Sequence, residues 1–211
     1  MPAPLPIPQP LPALAADWRP ESPRAGEGYY EFLEAELADL DLAVGGHIFA
    51  GGPLRQRFGA GELIVPGYRR KEEPPRELWG AMVVPLALVM LARQCMAMVT
   101  DDPRLRVVAT YRPRGGAARS THKVNAAIDV SPLVKTASSM RTLMIAAAWV
   151  WRHHAHLRVG VGTYGASSER TALAHIDAGV RKRRVCWRQL GGDSVSPAVD
   201  KQGPAPWEAP T

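Results

Sequence analysis

Residues 120–130, Ser120-Thr121-His122-Lys123-Val124-Asn125-Ala126-Ala127-Ile128-Asp129-Val130, and residues 173–178, Leu173-Ala174-His175-Ile176-Asp177-Ala178, decide the reading of this 211-residue chain. Side chains on a strand alternate between its two faces. Over Asn125 to Val130, Ile128 and Val130 take one face and Asp129 the other. Over Ala172 to Ala178, Leu173, His175 and Asp177 share one face, while Ala174 and Ile176 pack behind. His122 lies at the end of the loop entering the first strand. Two such strands side by side would bring His122, Asp129 and His175 together.

Working outward, Tyr30, Leu33, Leu37 and Leu40 recur at helical spacing and predict a helix over Tyr29 to Leu42. A Gly-rich segment follows, from Gly45 to Gly67. Glu72-Glu73-Pro74-Pro75 suits the opening of a second helix, which continues from Leu78 to Met98. Pro85, Arg93 and Gln94 interrupt the apolar run Ala81 to Val99, whereas a membrane span wants about 20 clean apolar residues; a buried core helix is expected. Leu105 to Tyr111 reads as a strand and Arg112 to Ser120 as a polar loop. Val134 to Ala155 reads as a third helix, with Leu143, Ala147, Val150 and Trp151 on one stripe, and Arg184 to Gln189 as a last strand. Helices first and strands later predict an α+β fold, a small antiparallel sheet with helices on one side. The folded unit spans about residues 25–190, between a proline-rich arm (1–24) and a loose tail (191–211). The arm is expected to be disordered, with a linker or a docking arm as the alternatives.

Hydrophobic residues at 46% and charged residues at 22% are a globular balance that excludes a wholly disordered chain. A formal charge of +6 favours anionic partners without choosing among them. Two cysteines, Cys95 and Cys186, exclude a disulfide framework, and no C-x-x-C pair offers a cysteine zinc site. The start, MPAPLPIPQPLPALAADW, lacks the basic residues of a secretory signal.

Two imidazoles and one carboxylate suit a tetrahedral Zn²⁺ with the fourth position left for water. His122, Asp129 and His175 are the expected ligands. Zinc in such a site lowers the pKa of its water towards about 7 and polarises a carbonyl.

These segments resemble the zinc D-alanyl-D-alanine carboxypeptidases and related murein endopeptidases, a group that includes phage endolysins and vancomycin-resistance dipeptidases. Their pattern is S-x-H-x(6)-D followed by H-x-D, matched here by Ser120, His122, Asp129, His175 and Asp177. A strand ending in S-G-Y-R is paralleled by Ala109-Thr110-Tyr111-Arg112, and a G-V-G-x-Y turn by Gly160 to Tyr164. D-x-G and R-x-W find similar residues in Asp177, Gly179, Arg184 and Trp187, so that the resemblance covers residues 76–188. It implies zinc-dependent hydrolysis of peptidoglycan stem peptides by metal-activated water, with Arg112 on the substrate carbonyl or carboxylate. The peptidoglycan peptide is the implied partner. Such a substrate lies outside the cytoplasmic membrane, which leaves release with a phage holin or non-classical export to explain the start. Ser120 is expected to bond backbone near the site rather than act as a nucleophile.

Two departures matter. A glycine usual three residues after the first histidine is Asn125, which tolerates a left-handed backbone. The acidic residue usual three before the second histidine is Ala172. Proton handling then falls to Glu169, if its segment loops inward, or to Asp177, which could instead orient a ligand. The alternative is a catalytically degenerate wall-binding or structural module on the same fold.

Other signals weigh less. Gly160 to Gly165 fits G-x-G-x-x-G but lacks the helix and parallel sheet of a dinucleotide fold. His153, His154 and His156 stand near a helix C-terminus, a favourable place for imidazoles without any metal, though an accessory metal site is an alternative; His47 is uninformative. Arg181 to Arg184 form a basic run with only Trp187 nearby, too little to predict a specific nucleic-acid partner. Cys95 and Cys186 suit small core positions.

Overall fold

Two adjacent antiparallel strands, β2 (Ala127–Pro132) and β4 (Leu173–Asp177), lie inside the sheet in a computed structural model. It describes residues 9–46, 48, 72–114, 120–164, 173–182, 185–189 and 195–196. With β1 (Leu105–Ala109), β3 (Gly160–Tyr164), β5 (Val185–Gln189) and β6 (Val195–Ser196), the strand order is β1-β2-β4-β3-β5-β6. The α+β class is as expected. The sheet is mixed rather than wholly antiparallel, because β5 runs parallel to β3. Both edges of β4 are taken, by β2 and β3; the chain reverses after β4 and pairs on the far edge of β3, and that reversal makes β5 parallel to β3.

β3 occupies the Gly160–Tyr164 segment, where a turn was expected. Two glycines in five residues weaken any strand signal. Val161 alone supplies a large apolar side chain to the core face, and pairing with β4 on one side and β5 on the other makes the strand.

Among the described residues, four α-helices accompany the sheet: α1 (Leu14–Asp17), α2 (Tyr29–Ala43), α3 (Val83–Ala97) and α4 (Ala137–His153). α3 and α4 pack on each other and on the sheet face that carries Ile128, Val130, Val161, Ala174 and Ile176. Leu86 through Ala92 are fully buried, and each large apolar side chain so buried contributes about 1.5–3 kcal/mol. The span Arg76–Ala97 is long and apolar enough to cross a membrane by composition alone, but here it is the core helix expected.

That span does not begin as an α-helix. Arg76–Met82 is a 3-10 helix and α3 starts at Val83. Pro85 explains the break: its ring would clash with the carbonyl four residues back, and it has no N–H to donate. Starting at Val83 puts Pro85 in the first turn, where neither demand arises. Trp79 of the 3-10 stretch packs on Tyr29 and Phe32 of α2, and its Nε1 donates to the Pro74 carbonyl at 2.8 Å.

Residues 9–24 of the proline-rich arm dock on the fold. Leu11 and Ala15 are buried in the core, and the Glu21 N–H donates to Glu36 Oε2 on α2 at 2.9 Å. Residues 1–8, most of the Gly45 to Gly67 segment including His47, and nearly all of the tail lie outside the described residues.

Candidate metal centre

Asp129 and His175 are direct cross-strand neighbours in the β2–β4 pair, so their side chains leave the sheet together on the face away from α3 and α4. His122 comes from a 3-10 turn, Thr121–Val124, just before β2. Asn125 ends that turn at φ +54°, a left-handed conformation that asparagine adopts more readily than most residues. Its side chain is fully buried: Nδ2 donates to the Leu78 carbonyl and to the Tyr29 hydroxyl, each at 3.0 Å. The turn carrying His122 is thereby tied to α2 and to the 3-10 stretch before α3.

β1 supplies the other wall. A register shift between Val107 and Ala109 bends the strand, which ends at Ala109 rather than Tyr111. The chain beyond it clasps the His122 turn. Arg112 N–H donates to the His122 carbonyl at 3.0 Å, and the Thr110 carbonyl lies 2.5 Å from His122 Nδ1.

Three side-chain atoms converge. His122 Nε2 is 3.1 Å from Asp129 Oδ1 and 3.2 Å from His175 Nδ1, and His175 Nδ1 is 2.8 Å from Asp129 Oδ1. All three residues are buried. A tetrahedral zinc ion with arms of about 2.0–2.1 Å separates its ligands by roughly 3.3 Å. The triangle therefore fits one such ion with outward adjustments of a few tenths of an ångström. The far ring nitrogens are held as metal-ligating imidazoles require. His122 Nδ1 has the Thr110 carbonyl, and His175 Nε2 has Asp177 Oδ2 at 2.8 Å. Each ring thus turns an unprotonated nitrogen towards the common point when its far nitrogen carries the proton.

The electrostatics favour positive charge at that point. Burial alone would raise the Asp129 carboxyl, but hydrogen bonds with His122 and His175 outweigh it and hold the group far below the usual carboxylate range. Burial pushes the His122 pKa down, with Asp129 offsetting only part of the effect, so this imidazole is neutral. Burial also opposes charge on His175, yet Asp129 and Asp177 outweigh it and draw its pKa upward. An imidazole set between two carboxylates marks a place where a cation is welcome.

The other expected residues sit around this triangle. Arg112 is beside it, with Nη2 3.4 Å from Asp129 Oδ2 and its side chain about a quarter exposed. Asp177 is behind His175 and wholly buried. Glu169, Ala172, Arg183 and Arg184 lie outside the described residues. Ser120 contributes backbone, its carbonyl accepting from Lys123 N–H at 3.1 Å; its side chain makes no capping bond to the turn. The neighbouring Thr121, which sequence reading passed over, reaches inward instead. Its hydroxyl donates to Asp177 Oδ2 at 3.3 Å and lies 3.4 Å from His175 Nε2.

The histidines after α4 have another task. His154 is fully buried; its Nδ1 donates to the Val150 carbonyl at 2.8 Å and its Nε2 accepts from the Leu11 N–H at 2.9 Å. With both nitrogens used on backbone, it closes the helix and anchors the arm. Among the described residues, His122, Asp129 and His175 are the group able to hold a metal ion.

No family model, curated protein or solved structure matches this chain. A possible site for one metal ion, built from two histidines and an aspartate on one sheet face, is what its geometry establishes.

Proposed function

We propose that the protein is a zinc-dependent hydrolase of peptide bonds in peptidoglycan stem peptides. The observation that carries this reading is the triangle of His122 Nε2, Asp129 Oδ1 and His175 Nδ1, with sides of 2.8–3.2 Å. The motif resemblance narrows a general metallohydrolase to the peptidoglycan peptidases. A zinc ion bound there supplies Lewis-acid chemistry, polarising a carbonyl and bringing the pKa of water towards about 7.

The chain's own residues do the rest. Only one ligand, Asp129, is anionic, so a loaded site stays net positive and suits an oxygen gaining negative charge. Arg112 stands beside the triangle, its Nη2 3.4 Å from Asp129 Oδ2, and its planar guanidinium has the geometry to meet a carbonyl or carboxylate oxygen of a substrate. The Thr110 carbonyl and Asp177 fix the two imidazoles. Asp177 is taken up by His175, Thr121 and Arg181, which suits orientation better than proton transfer to substrate. Glu169 is the proposed proton carrier, on sequence position alone.

The engagement of Asp177 favours one second reading, a metal-binding wall module without turnover. The test is purified full-length protein incubated with muropeptides, after chelation and after zinc reloading, with products read by mass spectrometry. Release of a peptide fragment or terminal D-alanine only in the zinc-loaded sample supports the hydrolase. Zinc-loaded protein that sediments with peptidoglycan but releases nothing supports the module.

A further inference from the structure

Behind His175 stands an arrangement that the proposed hydrolysis does not use directly. Arg181 closes a two-pronged bond on Asp177, with Nε 2.6 Å from Oδ1 and Nη2 2.5 Å from Oδ2. The same Oδ2 lies 2.8 Å from His175 Nε2. Asp177 is 0% exposed and Arg181 about a quarter exposed. A carboxylate buried so completely needs a paired charge, and a guanidinium fork fixes its plane as well as its charge.

Two glycines make this possible. Gly179 takes φ +83°, which folds the chain back after β4 and returns Arg181 over Asp177. Gly160 pairs with Asp177 across β3 and β4. A Cβ there would lie 2.4 Å from Arg181 Nε and 2.5–2.6 Å from both Asp177 oxygens. The Gly160 position, read from sequence as part of a turn, is the floor on which the Arg181–Asp177 pair rests.

We infer that Arg181 is a positioning residue of the metal centre: through Asp177 it fixes the ring of His175 so that Nδ1 faces His122 and Asp129, in a space that Gly160 keeps clear. The basic run Arg181 to Arg184 thus begins with a side chain turned inward to the site. The inference rests on the metal-centre reading but not on peptide hydrolysis. It predicts that metal affinity responds to three residues that touch no metal: Arg181, Asp177 and Gly160.

The test is zinc affinity of the full-length protein, measured by competition with a chromophoric chelator, alongside the melting temperature of the metal-free form. Asp177→Asn removes the direct partner of a ligating histidine and is expected to weaken zinc binding about 10–100-fold, and Arg181→Gln, acting through Asp177, about 10-fold. Arg181→Lys keeps the charge without the fork and should fall between wild type and Arg181→Gln. Gly160→Ala should weaken zinc binding in the same direction. In an Asp177→Asn background, Arg181→Gln should cost little further affinity, since residues acting through one another are not additive. Zinc affinity within twofold of wild type for Arg181→Gln, with or without a lower melting temperature, overturns the inference and leaves the metal centre standing. Full additivity of Arg181→Gln and Asp177→Asn overturns it too. Failure of the wild-type protein to take up zinc overturns the centre and the inference together.

Discussion

Two buried imidazole sites in this protein, His122 with His175 on the open sheet face and His154 beneath the N-terminal arm, show what separates a ligand from a structural histidine. His154 spends both ring nitrogens on backbone, one on the Val150 carbonyl and one on the Leu11 N–H. His122 and His175 each spend one nitrogen on a supporting oxygen and turn the other to Asp129 Oδ1. Burial depth does not distinguish them, since all three are nearly inaccessible. The difference lies in where the second nitrogen points, and in the nearest charge. Asp129 stands beside the first pair, whereas His153 and His156 are the titratable neighbours of His154.

Several experiments would break this contrast or sharpen it. The largest effect belongs to the ligands. His122→Ala should lower zinc affinity more than about 100-fold, beyond what loss of a supporting partner costs, while His154→Ala should leave zinc stoichiometry untouched. Isothermal titration of both variants checks this; equal losses would erase the distinction.

Next comes stability. His154→Ala strands the Leu11 N–H and leaves a cavity, and should cost about 2–4 kcal/mol in chemical denaturation. A linked pH effect follows. Burial is the main cause that lowers the His154 pKa, to about 4, against about 6.5 for an unfolded histidine. The unfolded chain therefore binds the extra proton first. The His154 contribution is complete above pH 6.5 and is lost as pH falls towards 4, by up to roughly 3 kcal/mol. His175 carries the opposite sign, so the diagnostic is the difference between wild type and His154→Ala. That difference should shrink between pH 6.5 and 4; a constant gap would deny the neutral cap.

Zinc at about 100 times its Kd should raise wild-type stability by about 2.7 kcal/mol. The same rise is expected in His154→Ala and none in His122→Ala. The smallest effect is assigned to Thr121→Val, which removes one long hydrogen bond to Asp177 and should weaken zinc binding only about two- to fivefold, or under about 1 kcal/mol.

Much of the centre could be read from residue order. A strand's period of two placed Asp129 and His175 on one face, and asparagine at position 125 was compatible with the left-handed turn that presents His122. The supporting residues were harder to see. Thr110 reaches His122 because β1 bends at Val107 to Ala109, and no local pattern announces such a bend. Arg181 stands in the sequence as the first residue of a basic run, and only the return of the chain at Gly179 turns it inward. Gly160 to Tyr164 lacked strand character because close approach, not β-propensity, selects the residue at position 160. Helix α3 was legible in composition but not at its start, where Pro85 decides between 3-10 and α geometry.

X-ray absorption at the zinc edge of the loaded full-length protein tests the central claim most directly. Two imidazole nitrogens with oxygen completing the shell, all at about 2.0–2.1 Å, is the predicted result. A shell containing sulfur, which would implicate Cys95 or Cys186, or fewer than two imidazoles would contradict it.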